Sequence, residues 1–108
     1  MKHLNIALLQ LSPCGDAESN LKKGIDACKT AKERGADIAL FPEMWSNGYN
    51  LYDRPVADWQ AEALPGDGAF VRRFGELAGE LKMAVGVTFL ERYDGGPRNT
   101  LILYDRHG

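Results

Sequence analysis

Apolar positions along the chain alternate between short unbroken runs and helically spaced stripes. Leu4 to Leu9 is almost continuously apolar, broken only by Asn5, which predicts a strand covered on both faces. The stretch "SPCGDAESN" reads as a loop, with Asp16 or Ser19 available to cap a helix. Leu21, Ile25, Cys28 and Ala31 then recur at helical spacing, while Lys22, Lys23, Asp26, Lys29 and Glu33 lie elsewhere around the axis. This is an amphipathic helix, and Gly35 is placed to end it. Ala36 to Phe41 forms a second strand. Strand, helix and strand in this succession predict a right-handed βαβ unit with parallel strands.

Residues 43–55 make a longer connection that carries Trp45, Tyr49 and Tyr52. Val56 to Leu64 predicts a short helix stopped by Pro65-Gly66, after which Asp67 can cap a second long helix. The inner face of that helix is Phe70, Phe74, Leu77 and Leu81. Gly75 and Gly79 on the same helix imply close approach to a neighbour. Met83 to Leu90 is a third strand, apolar except for Gly86 and Thr88. An Asp94-Gly95-Gly96-Pro97 turn leads to a fourth strand over Thr100–Tyr104, and so short a turn predicts an antiparallel hairpin.

The organisation is α/β, with about four strands and two long helices. Those helices can cover one face of the sheet. The strands are apolar on both faces, however, and no further element is available for the second. Residues 1–108 therefore read as an incomplete portion of a single larger domain, or as a chain that associates to supply the missing layer.

Composition narrows the function classes. With 108 residues, 44% of them hydrophobic and 26% charged, the chain suits one globular unit. A formal net charge of −2 with no block of like charge gives no basic face for nucleic acid. Cys14 and Cys28 are too few for a disulfide framework, so reduced thiols and a cytoplasmic setting are expected. His3 and His107 lie near opposite ends without a C-x-x-C pair, so neither a metal site nor a cofactor is expected. "LNIALLQL" followed by "SPC" imitates a secretory leader. Asn5 and Gln10 interrupt it, and Pro13 stands where a small residue should precede the cut. No stretch approaches the ~20 apolar residues that span a bilayer, so a soluble protein with no membrane partner is expected.

The chemistry concentrates in "ALFPEMWSNGY", residues 39–49. Ligands of open α/β sheets sit beyond the carboxyl ends of the strands, and Glu43 falls at such an end. Pro42 stiffens the exit. Met44, Trp45 and Tyr49 are expected to wall the acid in, and desolvation would raise its pKa toward that of a general base. A strand-terminal acid can equally cap a turn or pair with a surface cation. Met44 and Tyr49 would line a pocket around a catalytic Glu43, or would simply pack their loop against the core. Glu91 is expected to form a hairpin salt bridge with Arg92 or Arg98, and Asn99 to satisfy backbone groups at the turn.

Read in order, "LNIALLQLSPCGDAESNLKKG", "GADIALFPEMWSNGY", "GVTFLER" and "RNTLILYDRHG" resemble the N-terminal part of the nitrilase superfamily, the carbon–nitrogen hydrolases. "FPEMWSNGY" after "GADIAL" is the specific piece. The resemblance implies the N-terminal part of an α-β-β-α sandwich, whose second sheet would cover the face left open here. It implies hydrolysis of non-peptide C–N bonds in amides, nitriles or N-carbamoyl compounds by a Glu, a Lys and a Cys. The Glu is base toward the Cys, the Cys forms a thioester or thioimidate, and the Lys stabilises the developing negative charge. Glu43 matches the Glu. A small-molecule substrate and a homo-oligomeric full-length protein are implied as well.

The family's Lys follows the turn at Asp105–Gly108 and its Cys comes later, so both would lie beyond Gly108. No residue present substitutes for them. Cys14 lies in the loop after the first strand, where the family has no nucleophile. Cys28 is on the apolar face of a helix. Lys22, Lys23, Lys29 and Lys32 belong to the first helix, and Lys82 to the end of the second long one. The chain is thus expected to be inactive by itself. The alternative is an inactive fragment or pseudoenzyme with a structural, associating role. A flavodoxin- or receiver-like binding domain needs a phosphate cradle or clustered acids after the first strand, which Gln10–Cys14 does not offer.

Overall fold

The computed structural model describes residues 3–48 and 53–108. In chain order these form β1 (Ile6–Leu8), α1 (Ala17–Glu33), β2 (Ile38–Leu40), α2 (Val56–Glu62), α3 (Ala69–Leu81), β3 (Ala84–Glu91) and β4 (Arg98–Tyr104). The sheet order is β1-β2-β3-β4, parallel from β1 to β3, with β4 antiparallel to β3. The βαβ unit and the closing hairpin match the sequence pattern. β1 and β2 are shorter than their apolar runs, because at the run ends single hydrogen bonds replace the ladder. Leu9 N–H donates to Leu40 C=O at 2.9 Å and Phe41 N–H to Gly86 C=O at 3.0 Å.

Helix ends follow local chemistry. The Asp16 carboxylate accepts the Ser19 N–H at 2.7 Å, capping α1. This hydrogen bond holds the Asp16 carboxyl below the usual carboxylate range. Beyond the other end, Gly35 takes a left-handed φ of 87°. Asp67 does not cap α3. The N-cap is Gly68, without a side-chain hydrogen bond. The cause is a turn over Pro65–Gly68, closed by Gly68 N–H to Pro65 C=O at 3.0 Å, which leaves Asp67 exposed before the helix begins.

One core lies between the sheet and the two long helices. Cys28 and Ala31 from α1 and Phe70, Phe74, Leu77 and Ala78 from α3 meet Ala39, Val85, Val87 and Phe89 of the strands. The Phe41 and Phe74 rings pack edge-on with centroids 5.0 Å apart. Burial pushes the Cys28 thiol up to about 12. Gly75 lies under the Tyr104 ring, where a Cβ would come within 2.8 Å of Cε1. The close approach implied by that glycine is therefore to β4 of the same chain.

The other sheet face is open. Strand register aligns Ile6 with Ile38 and Ala84, then Leu8 with Leu40 and Gly86, with Leu103 opposite Gly86 and Leu101 opposite Thr88. Leu4, Ile6, Leu8, Leu101 and Leu103 are all more than half exposed. This is the uncovered apolar face that the two-sided strand pattern predicts. Among the described residues no helix is long and apolar enough to cross a membrane.

Candidate active site at the carboxyl end of β2

β2 leaves the sheet through Phe41, whose ring is buried, and Pro42 carries the chain out to Glu43. The chain then turns back on itself. Met44 adopts a left-handed φ of 59°, and Met44 C=O accepts from Asn47 N–H at 3.3 Å and Gly48 N–H at 2.6 Å. The turn sends Met44 and Trp45 inward and leaves Glu43 out.

Buried polar side chains hold this loop. The Trp45 indole N–H donates to Asn20 C=O at 2.9 Å, and the Trp45 backbone N–H donates to Thr88 Oγ1 at 3.1 Å. The Thr88 hydroxyl in turn donates to Pro42 C=O. Ser46 Oγ accepts the Leu90 N–H at 3.0 Å. Asn20, fully buried on α1, ties two loops together: its Oδ1 accepts Cys14 N–H and its Nδ2 donates to Ser46 C=O at 3.1 Å. Asn47 Nδ2 donates to Glu62 Oε2 at 3.4 Å, while its buried Oδ1 has no partner among the described residues.

Glu43 is exposed at the rim of the sheet, not walled in by its neighbours. Met44 is 1% exposed and packs with Ala63, Leu90 and Trp59 beneath the loop, and Trp45 joins the main core. The bulky side chains after the acid thus support it from below. Tyr49 lies outside the described residues. Cys14 is half-buried in the loop before α1. Among the described residues no group of His, Cys, Asp or Glu could hold a metal ion.

The expected hairpin salt bridge does not form. Glu91 instead accepts from the Thr100 hydroxyl at 2.8 Å, and Arg92 donates to Ala63 C=O at 3.3 Å. Arg98 places its guanidinium 3.5 Å from the centroid of the Tyr93 ring. Both arginines are thus engaged away from the Glu91 carboxylate. Asn20, Ser46 and Thr88 are the site residues that sequence patterns missed. For Thr88 the signal was a polar residue inside an apolar strand, since a buried polar group needs partners, whereas Asn20 and Ser46, each beside another polar residue, gave none.

A family model described as Carbon-nitrogen hydrolase matches residues 5–108. The chain belongs to the carbon–nitrogen hydrolases. Its relatives include the glutamine-dependent NAD(+) synthetase of Thermotoga maritima, 50% identical over 92 residues, covering 84% of this chain and 16% of that protein. An aliphatic nitrilase of Sinorhizobium fredii is 28% identical, over 96% of this chain and 38% of the nitrilase. Among solved structures, a variant of an amidase from Nesterenkonia sp. AN1 superposes with a TM-score of 0.74 at 25% identity, over 97% of this chain and 41% of the amidase. In that amidase acrylamide has undergone Michael addition at the active site cysteine. This carbon–nitrogen hydrolase chain therefore spans well under half the length of each of these relatives.

Proposed function

We propose that residues 1–108 form the N-terminal portion of a single carbon–nitrogen hydrolase domain in which Glu43 is the general base. The observation that carries this is the placement of Glu43, exposed at the carboxyl end of a parallel strand on a loop whose backbone is pinned from α1 and β3. An acid committed to structure would be paired or capping. Among the described residues the ion pairs are Arg54–Asp58 and Arg73–Glu80, and Glu43 takes part in neither.

In the full-length protein the remaining chain supplies the Cys and the Lys. Glu43 takes the thiol proton, and the sulfur attacks the carbonyl or nitrile carbon. The Lys ammonium stabilises the charge developing on the substrate oxygen or nitrogen. From an amide, Glu43 returns that proton to the departing nitrogen, ammonia leaves and water cleaves the thioester. From a nitrile, the thioimidate first adds a water before ammonia leaves, and the same thioester is hydrolysed. Tyr49, which follows on the same stretch of sequence, is the candidate for the pocket wall, and Met44, packed with Ala63, Leu90 and Trp59, supports that wall from beneath without meeting substrate. Since the synthetase relative is glutamine-dependent and the solved relative is an amidase, a primary carboxamide such as that of glutamine is the first substrate to try. The two free cysteines fit a cytoplasmic protein, and the family resemblance favours a homo-oligomer of the full-length chain.

The test is ammonia release by the full-length protein with L-glutamine, short aliphatic amides, a nitrile and an N-carbamoyl amino acid, beside residues 1–108 alone. Turnover of at least one substrate by the full-length protein, abolished by Glu43→Ala, is expected. Residues 1–108 alone should release none. Unaltered turnover by Glu43→Ala would refute the assignment. The exposed face carrying Leu8 and Leu103 favours a second reading for the isolated chain, that of an associating fragment without activity.

A further inference from the structure

We propose that Thr88 is a positioning residue for Glu43, its one hydroxyl fixing the backbone on both sides of the acid. This rests on the reading of Glu43 as the base. Thr88 lies in β3 and is 4% exposed. Around it on the same sheet face the register places Leu40, Gly86, Leu101 and Leu103. A valine would suit that position better on burial alone, so the hydroxyl calls for a polar explanation. It has one on each side: Oγ1 accepts the Trp45 N–H at 3.1 Å and donates to Pro42 C=O.

Those two groups bracket a short segment. Pro42 C=O belongs to the peptide that enters Glu43, and Trp45 N–H to the peptide that leaves Met44. Between them Met44 holds a left-handed φ of 59°, a conformation that residues with a Cβ avoid. The last backbone bond from this strand to β3 is made by Phe41 N–H. Beyond it the loop leaves the ladder, and the side chains of Thr88 and Ser46 take over the pairing. Without the Thr88 hydroxyl the turn loses both anchors next to Glu43, and the carboxylate loses its fixed bearing. Misplacement of a reacting group by about 1 Å is enough to cost roughly a hundredfold in rate.

The experiment uses the full-length protein and its best substrate, with Thr88→Val, Thr88→Ser, Glu43→Gln and the Thr88→Val/Glu43→Gln double variant. Valine keeps the shape and removes the hydroxyl. We expect kcat to fall at least about tenfold in Thr88→Val with KM changed less than about threefold, and Thr88→Ser to stay near the parent rate. In the Glu43→Gln background Thr88→Val should cause little further loss, because a positioning residue has nothing left to position. Should the valine protein not fold, Thr88→Cys, with similar volume and a weaker hydrogen-bonding group, must show the same kcat loss and the same non-additivity.

A parent-like kcat in the folded variant, a full multiplicative loss in the double variant, or a serine variant as impaired as the valine one overturns the role of Thr88. If Glu43→Gln itself keeps the parent rate, the base assignment falls and the positioning role falls with it. A dead Glu43→Gln beside an active Thr88→Val removes only the role of Thr88.

Discussion

Glu43 and Met44 are joined by one peptide bond and face opposite environments. The acid is exposed, while Met44 packs against Ala63, Leu90 and Trp59. The left-handed backbone at Met44 makes this reversal possible. Met44 thereby anchors the loop that presents the carboxylate. Truncating so buried a side chain removes its packing and leaves a cavity, so Met44→Ala should destabilise the full-length protein by about 2–5 kcal/mol. Chemical denaturation gives the loss directly. A Met44→Ala protein of parent stability with a raised KM would mean that the side chain meets substrate instead.

Gly48 closes the turn begun at Met44 and lies against the Pro13 ring. A Cβ there would lie 2.2 Å from Pro13 Cγ, and φ is 67°, so both space and backbone demand glycine. Gly48→Ala should lower stability by about 1–3 kcal/mol, the range for overpacking a filled site. Adding Pro13→Ala should recover the steric part and leave the backbone part. Thermal melts of the three variants check this, and a Gly48→Ala protein that melts with the parent would contradict the packing.

Much of this fold was legible in the sequence, for reasons visible in particular residues. The Phe70, Phe74 and Leu77 stripe repeats at helical spacing, and its burial against the sheet follows from that alone. The two-sided apolar pattern of β1 and β2 likewise foretold an open sheet face. The surroundings of Glu43 were not legible. Apolar neighbours in sequence suggested a walled-in acid, whereas the left-handed turn at Met44 carries them to the other side. That turn is anchored by Thr88, 46 residues from Pro42 along the chain. Local pattern carries no record of such a contact. The α3 cap failed similarly, since the turn closed by Gly68 on Pro65 decided where the helix starts.

The two cysteines should differ in chemistry. Cys28 is fully buried and its thiol is pushed up to about 12 by desolvation, whereas Cys14 is half-buried in a loop. In the native full-length protein at neutral pH, iodoacetamide should modify Cys14 well before Cys28, read by peptide mass mapping. The folded state disfavours the Cys28 thiolate relative to the thiol's ordinary value of 9.0. Its contribution to stability is therefore fully present below that pH and is lost as pH rises from there through about 12. Cys28→Ala should flatten that alkaline decline, and equal labelling of both thiols would contradict the burial.

The open sheet face predicts association of residues 1–108 expressed alone. Leu4, Ile6, Leu8, Leu101 and Leu103 form an apolar surface of the kind monomeric proteins rarely leave uncovered. Sedimentation should show oligomers or aggregates, and Leu8→Lys with Leu103→Lys should shift the population toward monomer. A compact monomer that melts cooperatively without those substitutions would show that the face needs no cover.

The most direct test of the account is Glu43→Gln in the full-length protein, with kcat and thermal stability measured on one preparation. Glutamine keeps the shape and much of the hydrogen bonding of the acid but cannot take the thiol proton. General-base contributions are typically ~10²–10⁴-fold, so kcat should fall at least about a hundredfold. Because Glu43 is exposed and makes no ion pair among the described residues, the melting temperature should stay at the parent value. A Glu43→Gln protein that folds as the parent does and turns over substrate at the parent rate would contradict the assignment of Glu43 as the base.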